Sequence, residues 1–206
     1  MILEYFARGA IIGFAIAAPV GPIGLLAIRR TLSDGRTLGL LTGLGAATAD
    51  ALYGCVGAFG LTLISGLLLG YAPWIKLIGG LFLCWLGIST FLANPKEDSD
   101  NGSDVRYATA FLSTAVLTLA NPATILSFMA VFAGLGLGAR AGDYAAAGTV
   151  VAGVFLGSAI WWLMLSGGVS LARHRLAPST LRLINRGSAI FLLAFGVTAL
   201  SSLLRR

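Results

Sequence analysis

Six apolar runs occupy almost the whole of this 206-residue chain, at about residues 5–28, 38–65, 74–93, 108–133, 144–170 and 182–203. Each is long enough, as a helix, to cross a hydrocarbon core of ~30 Å. Charged residues make up 11% of the chain, against about 25% in soluble domains, and mean hydropathy is +0.91. The sequence therefore predicts an all-α integral membrane protein of six transmembrane helices. No stretch is left for a soluble domain, so function has to lie inside the helix bundle and its second partner is the lipid bilayer.

Two of the runs are interrupted by proline. Pro19-Val20-Gly21-Pro22 splits the first, and Asn121-Pro122 splits the fourth. Proline lacks the N–H that a helix needs and clashes with the preceding turn. Backbone freed in this way persists at membrane depth only where protein buries it or a water-filled cavity lines it. Paired interrupted spans are the pointer to a transporter binding site. Half-helix N-termini suit an anionic group such as a carboxylate, and freed carbonyls suit an ammonium or a metal cation. A zwitterion satisfies both, and Asn121 adds a side-chain donor and acceptor.

The net charge of +6 is not a nucleic-acid footprint, because the basic residues flank the spans and set topology. Arg29, Arg30, Arg36, Lys96, Arg106, Arg173, Arg175 and Arg182 fall on one side, with Arg186 nearby. Arg8, Lys76, Arg140, Arg205 and Arg206 fall on the other. That bias predicts an inner-membrane protein with cytoplasmic first, third and fifth loops and both termini outside. Ala10–Ala18 has the look of a signal-peptide core. The apolar run continues to Ile28, however, with Glu4 before it, so a retained first helix is expected.

Residues 94–107 form the one long polar stretch and read as a connector between two three-helix units, 1–93 and 108–206. The halves share landmarks. The proline breaks correspond, Asp50 aligns with Ser158, and Ile75-Lys76-Leu77-Ile78 parallels Leu181-Arg182-Leu183-Ile184, at offsets of 103 to 108 residues. An odd number of spans per half inverts the second copy, giving the inverted repeat of many secondary carriers.

Asp50 is the one acidic residue inside a span. It lies twelve residues beyond Leu38, about 18 Å along a helix, near mid-membrane. A charge there costs at least ~2.5 kcal/mol, so protonation or pairing within a cavity is the cheaper state. Proton or substrate coupling is the functional reading; a protonated carboxyl bonded to a neighbouring backbone is the structural one. Gly39, Gly43, Ala47, Asp50, Gly54 and Gly57 recur at helical steps on one face. Thr149, Gly153 and Gly157, with Ser158 alongside, form a weaker stripe in the second half. Small residues let helices pack closely, which turns Asp50 inward.

Trp161 and Trp162 lie deep in the fifth span, where Trp161 either lines a cavity or packs in the core; Trp74 reads as an interfacial anchor. His174 reads as a solvated loop residue. Cys55 and Cys84 form no CxxC pair and read as small hydrophobes. No metal-ligand spacing, catalytic triad or phosphate loop is evident, so no cofactor or enzymatic activity is expected.

These residues, taken in order, resemble the LysE/RhtB superfamily of amino acid exporters. The resemblance rests on Gly21-Pro22, Gly39xxxGly43 leading to Asp50, Asn121-Pro122, Gly157-Ser158 with Trp161, and Arg182 through Asn185. It implies a six-helix inner-membrane carrier exporting an amino acid or related small metabolite in exchange for protons. It also implies a central site from Gly21, Pro22, Asn121 and Pro122, with Pro19, Ser158 and Trp161 adjoining, and Asp50 as the proton-coupling group. Where members often carry a polar residue after Gly-Pro, this chain has Ile23-Gly24, so no named substrate follows. A divalent-cation exporter using Asp50 and freed carbonyls as hard ligands is an alternative. A membrane thiol–disulfide relay is another, although both cysteines fall in the first half. A homodimer stays open.

Overall fold

The computed structural model describes residues 2–59, 71–92, 103–121, 124, 125, 127, 128, 131, 144–173 and 178–204. Among them run the helices α1 (Ile2–Ala17), α2 (Pro22–Asp34), α3 (Arg36–Ala58), α4 (Ala72–Leu92), α5 (Ser103–Leu119), α6 (Tyr144–Arg173) and α7 (Pro178–Leu204). No strand occurs among the described residues.

The first apolar run is two helices meeting at 80°. The ladder stops with Ala18 N–H to the Phe14 carbonyl at 2.9 Å and resumes with Leu25 N–H to the Gly21 carbonyl at 3.0 Å. Pro19 and Pro22 supply no N–H between those points, so α1 cannot continue. Pro22 instead opens α2 at its first position, where the missing donor has no helical use. The second break has the same character. α5 ends at Leu119, and Asn121 leaves the helix with its N–H on the Thr118 carbonyl at 3.1 Å. Its own carbonyl then accepts the Ile125 N–H at 3.2 Å.

Three boundaries differ from the sequence expectation. α2 runs on to Asp34, beyond the expected end near Ile28, so Arg29 and Arg30 are helix residues and not loop charges. Gly35 alone, at φ 105°, joins α2 to α3, a conformation that glycine adopts without a Cβ penalty. α5 begins at Ser103 with Asp104 in its first turn, so the end of the polar connector is helix. An acidic first turn complements the positive end of the helix dipole.

By length and hydropathy, Tyr144–Ala172 and Arg186–Leu203 can each cross a membrane, the bent α1–α2 pair meets the same test jointly, and Leu77–Leu92 is a shorter apolar helix. α3 stays below that threshold because it is rich in glycine, alanine and threonine. Its buried residues, among them Gly39, Thr42, Gly43, Ala46 and Asp50, face protein and not lipid. Trp85, Ile88, Leu112, Met164 and Val197 are exposed around the bundle. Apolar surface of that extent marks an interaction surface, and in a bilayer it meets acyl chains.

The packing pairs α1 with α6, α3 with α5 and α6, and α4 with α7, while α2 lies on α3 and reaches α6 and α7. Glycine makes the closest approaches. A Cβ on Gly9 or Gly13 would overlap the Val150 or Val154 carbonyl oxygen of α6. One on Gly153 or Gly157 would overlap the Phe6 or Ala10 carbonyl oxygen of α1. On α3, Gly45 meets the backbone of Phe111 and Ala115, Gly43 the Trp162 side chain and Gly39 the Thr31 side chain. Gly54 has room beside Val154, with a Cβ separation of 3.5 Å. Gly157→Val is expected to destabilise the folded protein in detergent by about 1–3 kcal/mol through overpacking. Gly148→Ala, where a Cβ meets nothing within 4 Å, stabilises by up to about 1 kcal/mol; chemical denaturation in micelles reads both.

Candidate functional site

Both breaks open onto one cavity of about 230 Å³. The first break lines it with Pro19, Val20, Gly21 and Pro22, followed by Ile23 and Gly24 of the first turn of α2. Gly21 has no side chain to cap α2, so the first-turn N–H groups keep no intrahelical acceptor. The second break lines the cavity with Asn121, Thr124 and Ser127, below Thr118 of α5. The Asn121 amide donates to Thr124 Oγ1 at 3.0 Å. Ala46 and Asp50 of α3, Trp162 of α6 and Phe195 of α7 close the walls. Pro122 lies outside the described residues.

Asp50 is 3% exposed and is the one charged side chain among the described residues lining the cavity. Ser158 Oγ, fully buried on α6, donates to Asp50 Oδ2 at 2.7 Å, the usual length of a hydroxyl hydrogen bond. Trp162 Nε1 donates in turn to Ser158 Oγ at 3.2 Å. The three side chains form a directed chain in which every donor points toward the carboxylate. The chain crosses the α3–α6 interface at its glycine-lined centre, where the Trp162 side chain covers Gly43.

Of the residues singled out from the sequence, Pro19, Gly21, Pro22, Asp50 and Asn121 line the cavity and Ser158 reaches it through Asp50. Trp161 does not line it. Its ring packs edge-on against Phe14 of α1 at 5.4 Å and 82°. Successive helical residues point about 100° apart, so only one tryptophan of the pair can face the site, and it is Trp162. Gly39, Gly43, Gly153 and Gly157 act where helices touch. His174 and the connector residues 93–102 lie outside the described residues. Cys55 and Cys84 are unbridged thiols on α3 and α4, and among the described residues no three His, Cys, Asp or Glu side chains converge.

Sequence reading alone misses two further groups. The Tyr53 hydroxyl donates to the Leu119 carbonyl at 2.5 Å, supplying a partner in the last turn before the second break. Its place one turn after Asp50, on the same face, is the only signal that could have found it. Arg30, assigned by its flanking position to topology, donates to Thr42, Thr114, Ser113 and the Ala110 carbonyl.

The profile of the LysE type translocator matches residues 14–203. The chain belongs to the LysE-type translocator family. It is a transmembrane transporter by that membership. A Bacillus subtilis (strain 168) protein, YcgF, provisionally named for amino acid efflux, is 29% identical over 94% of both chains. The uncharacterized membrane protein YahN of Escherichia coli (strain K12) is 30% identical over 73% of this chain and 68% of its own. The chemotactic transduction protein ChpE of Pseudomonas aeruginosa is 27% identical over 98% of this chain and 100% of its own. No solved structure matches significantly. Tyr53→Phe is expected to lower stability by about 1–2 kcal/mol through the stranded Leu119 carbonyl, read as a lower unfolding midpoint in detergent with the helix content unchanged.

Proposed function

We propose that this chain exports an amino acid from the cytoplasm across the inner membrane, exchanging it for protons by alternating access at the cavity between the two breaks. The observation that carries the reading is Asp50, a buried carboxylate with no cationic partner among the described side chains, set in a cavity walled by both interrupted segments. A substrate ammonium gives it the missing counterpart, and a proton replaces that ammonium after release. The substrate carboxylate goes to the open N-terminus of α2, whose dipole and free N–H groups favour an anion. Among the described residues no second charge lines the cavity, which favours a cargo with an uncharged side chain resting on Val20, Ile23, Trp162 and Phe195. The efflux name of the Bacillus subtilis relative, aligned along 94% of both chains, points the same way.

Alternating access needs two halves that can rock, and an inverted repeat of 1–93 against 108–206 supplies them. Its support lies in paired contacts. Gly153 on α6 meets Phe6 and Ala10 of α1, and Gly45 on α3 meets Phe111 and Ala115 of α5. These partners sit at matching offsets of 108 and 105 residues. Asp50 and Ser158, themselves 108 apart, bond each other, as residues astride a two-fold axis do. The charge bias favours the cytoplasmic side for the α2–α3 joint and the 94–107 connector.

Vesicles loaded with a radiolabelled amino acid panel, with and without a pH gradient, test the proposal. Gradient-driven export of a neutral amino acid is expected, with lysine and glutamate excluded. Asp50→Asn abolishes the gradient dependence, and retention of full gradient-driven export by that variant would falsify the coupling role. Cys55→Ser/Cys84→Ser keeps full export, which separates this reading from a thiol relay. Export of a divalent cation in place of any amino acid sinks it.

A further inference from the structure

Two successive layers of side chains lie on the α2 C-terminal side of the cavity. The first is apolar: Leu26, Leu117 and Trp162 belong to a buried cluster with Ala27 and Ala46. The second is polar and centres on Arg30. Its Nη1 donates to Thr42 Oγ1 at 3.0 Å and to Thr114 Oγ1 and the Ala110 carbonyl at 3.1 Å, and its Nη2 donates to Ser113 Oγ at 3.1 Å. Thr42 and Thr114 give their own hydroxyl protons to the Leu38 and Ala110 carbonyls, which leaves their lone pairs turned to the guanidinium. Thr42 stands one turn from the cavity residue Ala46, and Thr114 one turn from the cavity residue Thr118. Arg30 therefore sits directly behind the cavity on both flanking helices.

Three features distinguish this cluster from ordinary packing. It joins α2, which leaves the first break, to α5, which leads into the second. Those two helices touch only sparsely otherwise, so the joint is made by long side chains: Arg30, and farther out Asp34 with Arg106 at 3.0 Å. Among the described residues, every hydrogen-bond acceptor of the Arg30 guanidinium is neutral, and Asp34 acts on it only as a nearby charge. The guanidinium's hydrogen bonds can be exchanged for water without stranding a buried carboxylate, unlike a buried ion pair that loses one partner.

We propose that Arg30 is the gating latch of the transport cycle, closing the cavity at the α2 C-terminal end and releasing α5 when that end opens. The inference rests on the transport reading for its purpose, and on geometry alone for the closure.

Two measurements test it in a Cys55→Ser/Cys84→Ser background. A reporter, Thr118→Cys, is labelled with a membrane-impermeant maleimide from each face of oriented vesicles. Labelling from the latch face is slow with Arg30 present and rises roughly tenfold or more in Arg30→Gln as the open population grows. Arg30→Lys, which keeps the charge but loses the fork, falls between. Unchanged latch-face labelling in Arg30→Gln overturns the proposal. In the second arm, Asp34→Cys/Arg106→Cys is bridged by a short bifunctional methanethiosulfonate. Export stops and returns on reduction; full export while bridged also overturns the latch. If Arg30→Gln fails to reach the membrane, the bridged protein decides. If no amino acid is exported by the unsubstituted protein, the transport reading fails, while maleimide labelling still reports whether Arg30 closes the cavity.

Discussion

Everything in this fold answers to one constraint: a backbone that stops hydrogen-bonding itself inside a membrane must be surrounded. Pro19 and Pro22 leave the Ala15 and Ala18 carbonyls without the donors a continuous helix would give them, and Pro22 starts α2 across an 80° bend. In hydrocarbon each orphaned group costs several kcal/mol. α3, α5 and α6 therefore gather around the break, and the space they cannot fill is the cavity. The site is the remainder left by shielding an interrupted helix.

Shielding of that kind demands close contact, and glycine provides it. Gly13 and Gly157 bring α1 and α6 together at the level of main-chain atoms, as Gly45 does for α3 and α5. With helix axes this near, a short serine on α6 is enough to reach a short aspartate on α3, so Ser158 and Asp50 meet directly. The indole of Trp162 then completes the row and forms part of the cavity wall. Backbone proximity and site chemistry are the same feature viewed at two scales.

The breaks, Asp50 and the glycine stripes are legible in the sequence because each is an exception to its surroundings: proline within an apolar run, a charge within a span, small residues at helical steps. What is not legible depends on rotation and reach. Trp161 and Trp162 differ by a single step of sequence, and only the packing of α6 on α1 and α3 decides which ring meets the cavity. Arg30 resembles any arginine at the end of a span until α2 continues for another turn and carries it in among Thr42, Ser113 and Thr114. The start of α5 at Ser103 is hidden by a run of polar residues whose composition says connector, although Asp104 suits a first helical turn.

Gly35 is the whole of the link between α2 and α3, held at φ 105°. A one-residue joint leaves almost no slack, so a tilt of α2 is delivered to the first turn of α3 with little loss. α3 is a continuous helix from Arg36 to Ala58, and it carries Asp50 fifteen residues from the joint. Moving as one piece, the two helices would act as a bell crank, with a push at the Arg30 end of one arm displacing the carboxylate on the other.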